Sequence, residues 1–428
     1  MSGNYKIGLS RCRLFDFQNV VTFVGEYRES FNEKELQKAL NMLSVKQPLI
    51  TAQIELKENS DAFVETERVK PKVSFIKADV NEFVNKRKTN GIDFWERLFQ
   101  FYVLNDNTLV VLSHTVVSDA KSLLVLAKQL LSYYNKETVA VEPEKIKLFG
   151  CESEIPLEAE SFVADKVTEV LNSDWLMKPF TFSAEDYKKA KERFSENYKG
   201  FKNTEFVFDS ELTSSLNKKA EELKVDVSSL VAFALFKVLN KNIKTKEKTA
   251  RMNVTLDRRP YFVERDAYSV GAFNGLTTLE LSGDSNELKE QAKEFHKTYY
   301  KKFSECFNAF YNELFLNKLE PSFLDSMYMY KAGLFKGKPT KKLANLYGCG
   351  QKYLLGFSSY NLNQKAWGKL STFNHICVKE PHKSNESVTS SLVMGEKNTL
   401  YLEWEMSVFT DEKIETLLDD FVSLLKQI

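Results

Sequence analysis

The chain has 428 residues, of which 43% are apolar and 28% charged, a composition typical of a water-soluble globular protein with a large core. Lysine and arginine together number 60, against 59 aspartates and glutamates. This balance gives no electrostatic reason to expect nucleic acid or an anionic membrane as a partner. The length allows two domains or one large fold.

The cysteines point to a reducing compartment. Their number is odd, and no two of them form a CxxC pair, so we interpret them as small core residues. No Cys/His cluster has the spacing of a metal site, and we expect neither a metal nor a permanently bound cofactor. The first residues lack the apolar segment of a signal peptide, and no window reaches the length of a membrane helix. We therefore expect a cytoplasmic protein without a membrane span.

The first half of the chain alternates predicted strands and helices. Residues 20–27 are rich in β-branched and aromatic side chains, which predicts a strand. The apolar spacing of residues 31–43 predicts an amphipathic helix with Asn32 as its N-cap, and Pro48 ends it. Two further strands are predicted at residues 50–56 and 63–67.

A polar string lies where a buried strand is followed by a helix. Residues 108–112 are continuously apolar or β-branched, as in a buried strand, and residues 121–134 have leucines at helical spacing. His114, Ser118 and Asp119 lie between these two elements. In α/β proteins such strand-to-helix turns often carry ligand chemistry, although an Asp here is equally suited to cap the helix.

The second half repeats the alternation. Residues 135–160 lack periodicity and are interpreted as a long connection, which puts a domain boundary between residues 160 and 185. Strands are predicted at residues 204–209, 251–256, 276–281, 354–360, 388–394 and 399–406. Helices are predicted at residues 210–223, 230–239, 287–307 and 411–426, the second of them capped by Ser228. The predicted fold class is therefore α/β.

Several segments together resemble one superfamily, that of the chloramphenicol-acetyltransferase-like fold. It includes condensation domains of peptide synthetases and the polyketide-associated and alcohol acyltransferases. The string Ser113-His-Thr-Val-Val-Ser-Asp-Ala-Lys-Ser122 is similar to the His-His-x-x-x-Asp-Gly-x-Ser signature. The other resembling segments are Gln47-Pro48-Leu49 after the first helix, Leu212 to Ala234, Asp257-Arg-Arg-Pro260, Val270-Gly-Ala-Phe-Asn274 and Gly356-Phe-Ser-Ser-Tyr-Asn361.

The resemblance implies two lobes of similar topology, arranged as a V-shaped pseudo-dimer with a channel at their junction. Residues 1–170 would form the N-terminal lobe, which carries the signature, and residues 171–428 the C-terminal lobe. In such proteins an acyl thioester enters the channel from one face, and an amine or hydroxyl acceptor enters from the other.

The chain departs from the signature at the residue that matters most for chemistry. Alignment on Asp119 places Thr115 at the position of the catalytic histidine and His114 at that of the first histidine, while Ala120 replaces glycine. A threonine hydroxyl cannot accept a proton near neutral pH as imidazole does.

Three interpretations follow from this departure. A one-residue bulge would present His114 in the channel as the general base. Alternatively, orientation without a base would suffice for an amine that is already neutral, and His114, Asp119 and Ser122 share the spacing of the Asp-x4-Asp-x2-Ser string of heterocyclising relatives. The third interpretation is a protein that binds acyl or carrier partners without turnover.

The resemblance also implies roles for residues around the signature. Asp119 would be structural and would pair with Arg258 or Arg259. Thr115 and Ser118 would line the channel, and substrate would also contact residues of the later strand, namely Ser358, Ser359 and Asn361.

Together these observations predict an acyltransferase with His114 and Thr115 at the catalytic position. It would move an acyl group from coenzyme A, or from the phosphopantetheine arm of a carrier protein, to a small-molecule amine or hydroxyl by direct attack. We expect it to be a monomer. The alternative is a catalytically inactive binding protein with the same fold, and the direction of the His114 side chain discriminates the two: towards the lobe junction for the enzyme, into the first-lobe core for the binder.

Overall fold

The structure is a computed structural model that describes residues 3–57, 61–137, 142–144, 146, 148, 162–197, 200–243, 250–262, 268–280, 287–346, 353–363, 365–381, 386–406 and 409–428. Its strands are β1 Asn4–Lys6, β2 Val20–Tyr27, β3 Gln53–Leu56, β4 Ala62–Glu65, β5 Val73–Ile76, β6 Phe99–Leu104, β7 Thr108–His114, β8 Phe201–Val207, β9 Arg251–Asp257, β10 Asn274–Glu280, β11 Tyr353–Asn361, β12 Phe373–Lys379, β13 Glu386–Met394 and β14 Thr399–Glu405. Its helices are α1 Glu33–Lys46, α2 Val80–Asn90, α3 Ala120–Tyr134, α4 Phe162–Leu176, α5 Ala184–Asn197, α6 Ser210–Leu223, α7 Val227–Asn242, α8 Leu288–Ser304, α9 Cys306–Asn317, α10 Pro321–Lys331, α11 Lys338–Leu346 and α12 Asp411–Gln427.

Within the described residues the strands form one sheet for each lobe and a small additional sheet. The first-lobe sheet has the order β12-β2-β7-β6-β5, and the second-lobe sheet has the order β10-β9-β11-β13-β14-β8. The additional sheet has the order β1-β4-β3. The chain thus has the expected mixed α/β class, with a two-lobed arrangement.

Each sheet is covered by helices whose apolar faces supply the core. Helix α1 packs against α3, and α3 packs against β2 in the first lobe. Every residue of β7 is buried, which explains its continuous apolar run. Helix α7 contacts α8, α12 and β11 in the second lobe, where its run of apolar residues is buried on almost all sides.

One strand crosses between the lobes. Strand β12 belongs to the C-terminal half of the sequence but pairs antiparallel with β2, so the first-lobe sheet contains a segment from the second half. The crossing brings residues 380 and 381, which follow β12, to the junction of the lobes. The division at residue 170 stays a prediction. Any single division of the sequence assigns β12 to the C-terminal lobe, although this strand is part of the first-lobe sheet.

Most predicted elements are present, with shifted ends. Asn32 caps α1 by accepting a hydrogen bond from the Glu35 amide, as predicted. The cap predicted at Ser228 is wrong, because α7 begins at Val227 and the Asp226 carboxylate caps it. The single helix predicted at residues 287–307 is two helices, α8 and α9, with a break at Glu305.

No helix in the described residues is long and apolar enough to cross a membrane. The same residues contain no group of three or more His, Cys, Asp or Glu side chains placed to hold a metal ion. Cys12 and Cys377 are buried and Cys306 is half-buried, while Cys151 and Cys349 lie outside the described residues.

Candidate functional site

Two cavities meet where the lobes join. The larger has a volume of about 630 Å³ and is lined by residues of both lobes, among them Thr115 of the first and β11 residues of the second. The smaller has a volume of about 180 Å³. In the described part of the chain both linings contain Thr255, Asn274, Ser358 and Glu380. The two cavities therefore adjoin at the lobe junction as the two arms of the candidate channel, and these four residues mark their meeting point.

Asp119 anchors the loop between β7 and α3. One carboxylate oxygen, Oδ1, caps α3 by accepting from the Ser122 amide at 2.7 Å, and the other accepts from the Phe273 amide at 3.0 Å. The Arg259 guanidinium donates to both oxygens, at 2.9 and 3.0 Å. Both side chains are almost completely buried. The signature loop of the first lobe is thus tied to the second lobe.

Arg259 is the partner of Asp119, whereas Arg258 binds backbone carbonyls. The Arg259 guanidinium also contacts Asp257 at 2.9 Å and donates to the Ser269 carbonyl at 2.9 Å. Burial alone would lower the pKa of Arg259, but the two carboxylates outweigh it and raise that pKa, so the guanidinium stays charged. Arg258, equally buried, donates to backbone carbonyls that include Phe273 O.

His114 lies in the core of the first lobe. It is the last residue of β7 and has no exposed surface. Its Nδ1 accepts a hydrogen bond from the Val116 amide at 3.1 Å, and its ring packs edge-on against Phe94 with centroids 5.9 Å apart. It lines neither cavity. The His114 side chain thus packs in the first-lobe core rather than in either cavity, and its role as general base stays a prediction.

Thr115 and Ser118 have different environments. Thr115 lines the larger cavity and is 2% exposed, and its Oγ1 has no hydrogen-bond partner among the described residues. Ser118 is fully buried, donates to the Asp119 carbonyl at 3.2 Å and lines neither cavity. Of the two, Thr115 alone is placed to contact a molecule in the channel.

The predicted residues of β11 lie along the channel. Ser358 lies at the meeting point, where its hydroxyl donates to the Ser390 carbonyl at 3.3 Å. Ser359 and Asn361 line the smaller cavity, and the Asn361 carboxamide accepts from the Asn363 amide at 3.0 Å. Residues 356–358 of β11 line the larger cavity and residues 358–361 line the smaller one, so the strand passes from one arm to the other at Ser358.

The sequence did not reveal the polar network at the meeting point. Glu380 accepts from the Ala120 amide at 2.9 Å and from the Asn274 carboxamide at 2.8 Å. Arg13 donates to the Asn274 carbonyl at 2.7 Å, and the Tyr360 hydroxyl donates to Glu380 at 3.4 Å. Burial and the nearby Glu380 carboxylate raise the pKa of Tyr360 well above its ordinary value, so the phenol remains a donor. No local pattern marks Glu380, because its position depends on the crossing of β12.

The burial of His114 leads to a prediction about stability. In His114→Ala the Val116 amide loses its acceptor in a dry core, and an unsatisfied buried donor costs about 1–3 kcal/mol. We expect urea denaturation to show a loss of this size. His114→Asn, whose carboxamide oxygen can accept the same hydrogen bond, should recover part of it. A fully stable His114→Ala protein with altered ligand chemistry would contradict this structural role.

Comparison with known proteins identifies the fold through structures alone. No protein-family model matches the chain, and no curated protein matches it significantly. The condensation domain of the Monacolin K polyketide synthase MokA is 12% identical with a TM-score of 0.64, covering 99% of this chain and 96% of that one. The first condensation domain of the CDA synthetase gives the same four values. Polyketide synthase associated protein 5 from Mycobacterium tuberculosis is 13% identical with a TM-score of 0.59, covering 98% and 96%. The chain therefore has the chloramphenicol-acetyltransferase-like fold seen in condensation domains.

Proposed function

We propose that the chain transfers an acyl group from a thioester to an amine inside the lobe-junction channel, without a histidine base. The donor would be coenzyme A or the phosphopantetheine arm of a carrier protein, and the acceptor a small molecule. The observation that carries the proposal is the meeting of the two cavities beside the loop that Asp119 and Arg259 hold in place. Donor and acceptor entering from separate arms would come into contact there.

The chemistry at this point needs orientation more than proton abstraction. A neutral amine attacks the thioester carbonyl directly, the new C–N bond forms, and the C–S bond breaks. The thiolate leaves and takes the proton that the amine gives up, so the products are an amide and a thiol. Holding the two reactants in register can supply several kcal/mol of the barrier, and hydroxyl groups such as that of Thr115 can donate to the developing oxyanion.

The test is to block the meeting point. Ser358 is 4% exposed and lines both arms, so Ser358→Phe should fill the passage between them. Mass spectrometry would follow amide formation from acetyl, octanoyl and palmitoyl thioesters of coenzyme A and of pantetheine with a panel of amines. Since reaction depends on proximity, we expect Ser358→Phe to lower transfer by at least about tenfold, with Ser358→Ala close to the native chain.

A second candidate function is binding of acyl or carrier partners without turnover. The observation that favours it is the burial of His114 in the first-lobe core, the outcome that the sequence analysis associates with the binder. Calorimetric titration with the same thioesters separates the two functions. Saturable thioester binding with no product from any amine would establish the binder, while neither binding nor product would reject both.

A further inference from the structure

The two arms of the channel differ in size, and this difference separates the two substrates of the proposed reaction. A thioester donor carries a pantetheine arm, which is as large as a typical drug molecule, and pockets that enclose such ligands have volumes of about 300–1,000 Å³. The larger cavity, at about 630 Å³, lies in this range, whereas the smaller one, at about 180 Å³, lies below it. Of the two arms, the larger one therefore fits the donor, and the smaller one is left for the acceptor.

The sheet that lines the larger arm presents hydrogen-bonding groups. The Asn253 carboxamide donates to the Glu386 carboxylate at 2.9 Å, and the Thr389 hydroxyl donates to the same carboxylate at 2.8 Å. The Thr278 hydroxyl donates to the Asn253 carboxamide at 3.3 Å. The Glu386 carboxylate lies over Gly356, where a Cβ atom would collide with it. A wall of carboxamide, carboxylate and hydroxyl groups suits the amide groups of a pantetheine arm.

The smaller arm has an apolar and aromatic wall. Trp367 is 5% exposed and lines this arm together with Tyr268, whose ring it meets edge-on with centroids 5.6 Å apart. Lys128 lies over one face of the Tyr268 ring, 5.1 Å from its centroid, and 36% of Tyr268 stays exposed. Leu124 of α3 and Leu362, which follows β11, extend this wall. Aromatic side chains of this kind form edge-to-face contacts with the ring of a ligand.

The size of the smaller arm limits its occupant to about one ring. An apolar cavity of about 150 Å³ holds a benzene molecule, and the smaller arm has about 180 Å³. The arm follows β11 from Ser358, at the meeting point, to Asn361, which is roughly 10 Å away at about 3.3 Å per residue. A single ring on a short chain therefore fills the arm and leaves the end of that chain at the meeting point.

The charged side chains of the smaller arm are paired with one another. Lys121 donates to Asp257 at 2.6 Å, and Arg259 binds both Asp119 and Asp257 at 2.9 Å. Among the described residues, the lining of this arm contains no lysine or arginine besides these two. A carboxylate on the acceptor would have to displace one of these pairs, because a buried charge needs a partner. The arm therefore favours an amine over an amino acid.

We propose that the acyl acceptor is an arylalkylamine, a primary amine with one aromatic ring on a short chain and no carboxylate. Its ring lies against Tyr268 and Trp367, and its nitrogen reaches the meeting point at Ser358. This inference rests on the proposed acyl transfer and names its acceptor class. The neutral nitrogen attacks the thioester carbonyl, the C–N bond forms, the C–S bond breaks, and the proton that the nitrogen loses leaves with the thiol. The products are an N-acyl arylalkylamine and a free thiol.

Calorimetric titration of the native chain with amines, in the absence of a thioester, tests the inference. Phenethylamine is compared with three relatives: cyclohexylethylamine, whose ring is saturated; phenylalanine, which adds a carboxylate; and biphenylethylamine, which adds a second ring. We expect phenethylamine to bind more tightly than each relative by at least about threefold, the order of a single aromatic contact.

Two variants and a matched control locate the ring. Tyr268→Ala should lower the affinity for phenethylamine by about threefold to tenfold, because it removes an aromatic contact from a partly exposed position where the core is little affected. Trp367→Ala should lower it further, and its melting temperature shows whether the variant is folded. Phe307→Ala is the matched control. Phe307 is 37% exposed, close to the value for Tyr268, but lines the larger arm, so the affinity for phenethylamine should be unchanged.

Three outcomes would overturn the inference: no preference for phenethylamine in the native chain, unchanged affinity in Tyr268→Ala, or an equal loss in Phe307→Ala. If Tyr268→Ala instead changes the selectivity among acetyl, octanoyl and palmitoyl thioesters, the smaller arm holds the acyl chain and the inference is wrong. Thioester transfer to alkylamines without preference for phenethylamine would reject the arylalkylamine site and leave the proposed function standing. Phenethylamine binding that depends on Tyr268, with no thioester binding or transfer, would reject the proposed function and leave the site standing.

Discussion

Asp119→Asn should destabilise the chain by about 3–5 kcal/mol, the usual cost of breaking a buried ion pair by removing one partner. Both oxygens of Asp119 are in use, and the Arg259 guanidinium that they bind is 1% exposed. In the variant, the carboxamide NH₂ faces a donor, either the Phe273 amide or Arg259, and the guanidinium keeps its charge. The urea midpoint and the melting temperature should both fall.

Asp257→Asn is the matched control for this prediction. Asp257 contacts the same guanidinium, but its side chain is 31% exposed, and Arg259 would retain Asp119. Partly exposed pairs contribute about 0–1 kcal/mol, so this variant should unfold close to the native midpoint. Equal losses of stability in both variants would show that the pair of Arg259 with Asp119 contributes no more than its pair with Asp257. An unchanged midpoint in Asp119→Asn would reject the anchoring role of Asp119.

Glu403→Gln should cause a loss of similar size at the other side of the lobe junction, again about 3–5 kcal/mol. Lys88 of α2 donates to both carboxylate oxygens of Glu403 in β14, and each of the two side chains is 3% exposed. Lys379 of β12 lies 3.9 Å from the same carboxylate. The substitution leaves two lysines against a neutral carboxamide. Lys88→Met should cost less, because Lys379 still faces Glu403 and the methionine replaces the apolar stem.

The pH dependence of the stability of Glu403→Gln tests whether the charge of Lys88 causes the loss. Burial lowers the pKa of Lys88, and the Glu403 carboxylate opposes that shift. Without the carboxylate the folded pKa falls further below the unfolded value, so the folded state binds fewer protons than the unfolded state. Stability then rises with pH between those two pKa values. Urea denaturation should therefore show a smaller deficit at alkaline pH than at neutral pH, and a deficit independent of pH would contradict the charge explanation.

Local patterns predicted the elements that have strong periodicity. Strand β7 and helices α1, α3, α6 and α12 follow from runs of apolar residues, because burial of one face dictates which positions are apolar. Helices α10 and α11 were missed, for different reasons. Residues 322–329 of α10 are all buried, which removes the one-sided pattern that predicts a helix. Helix α11 buries residues on one side only, but its nine residues are fewer than the window over which such periodicity is recognised.

Some residues of the candidate site could likewise be predicted from local patterns, and others could not. The importance of Asp119 could be predicted, because its place between a buried strand and a helix is a local property, and its pairing with one of two adjacent arginines followed from the resemblance. The environment of His114 could not be predicted. A side chain at the end of a strand can point into the lobe core or into the channel, and the local sequence does not distinguish the two. The structure places His114 against Phe94, inside the core.

By itself, then, the sequence determined the α/β class, the strand-to-helix turn that holds Asp119, and the resemblance to a two-lobed acyltransferase fold. Only the tertiary structure decided which polar groups share the channel. Glu380 reaches the meeting point because β12 crosses to the first-lobe sheet, and the Glu386 carboxylate can lie over Gly356 because that residue, 30 positions earlier in the chain, has no side chain. Contacts between segments this far apart follow from packing and strand register, and neither leaves a local periodicity for the sequence to display.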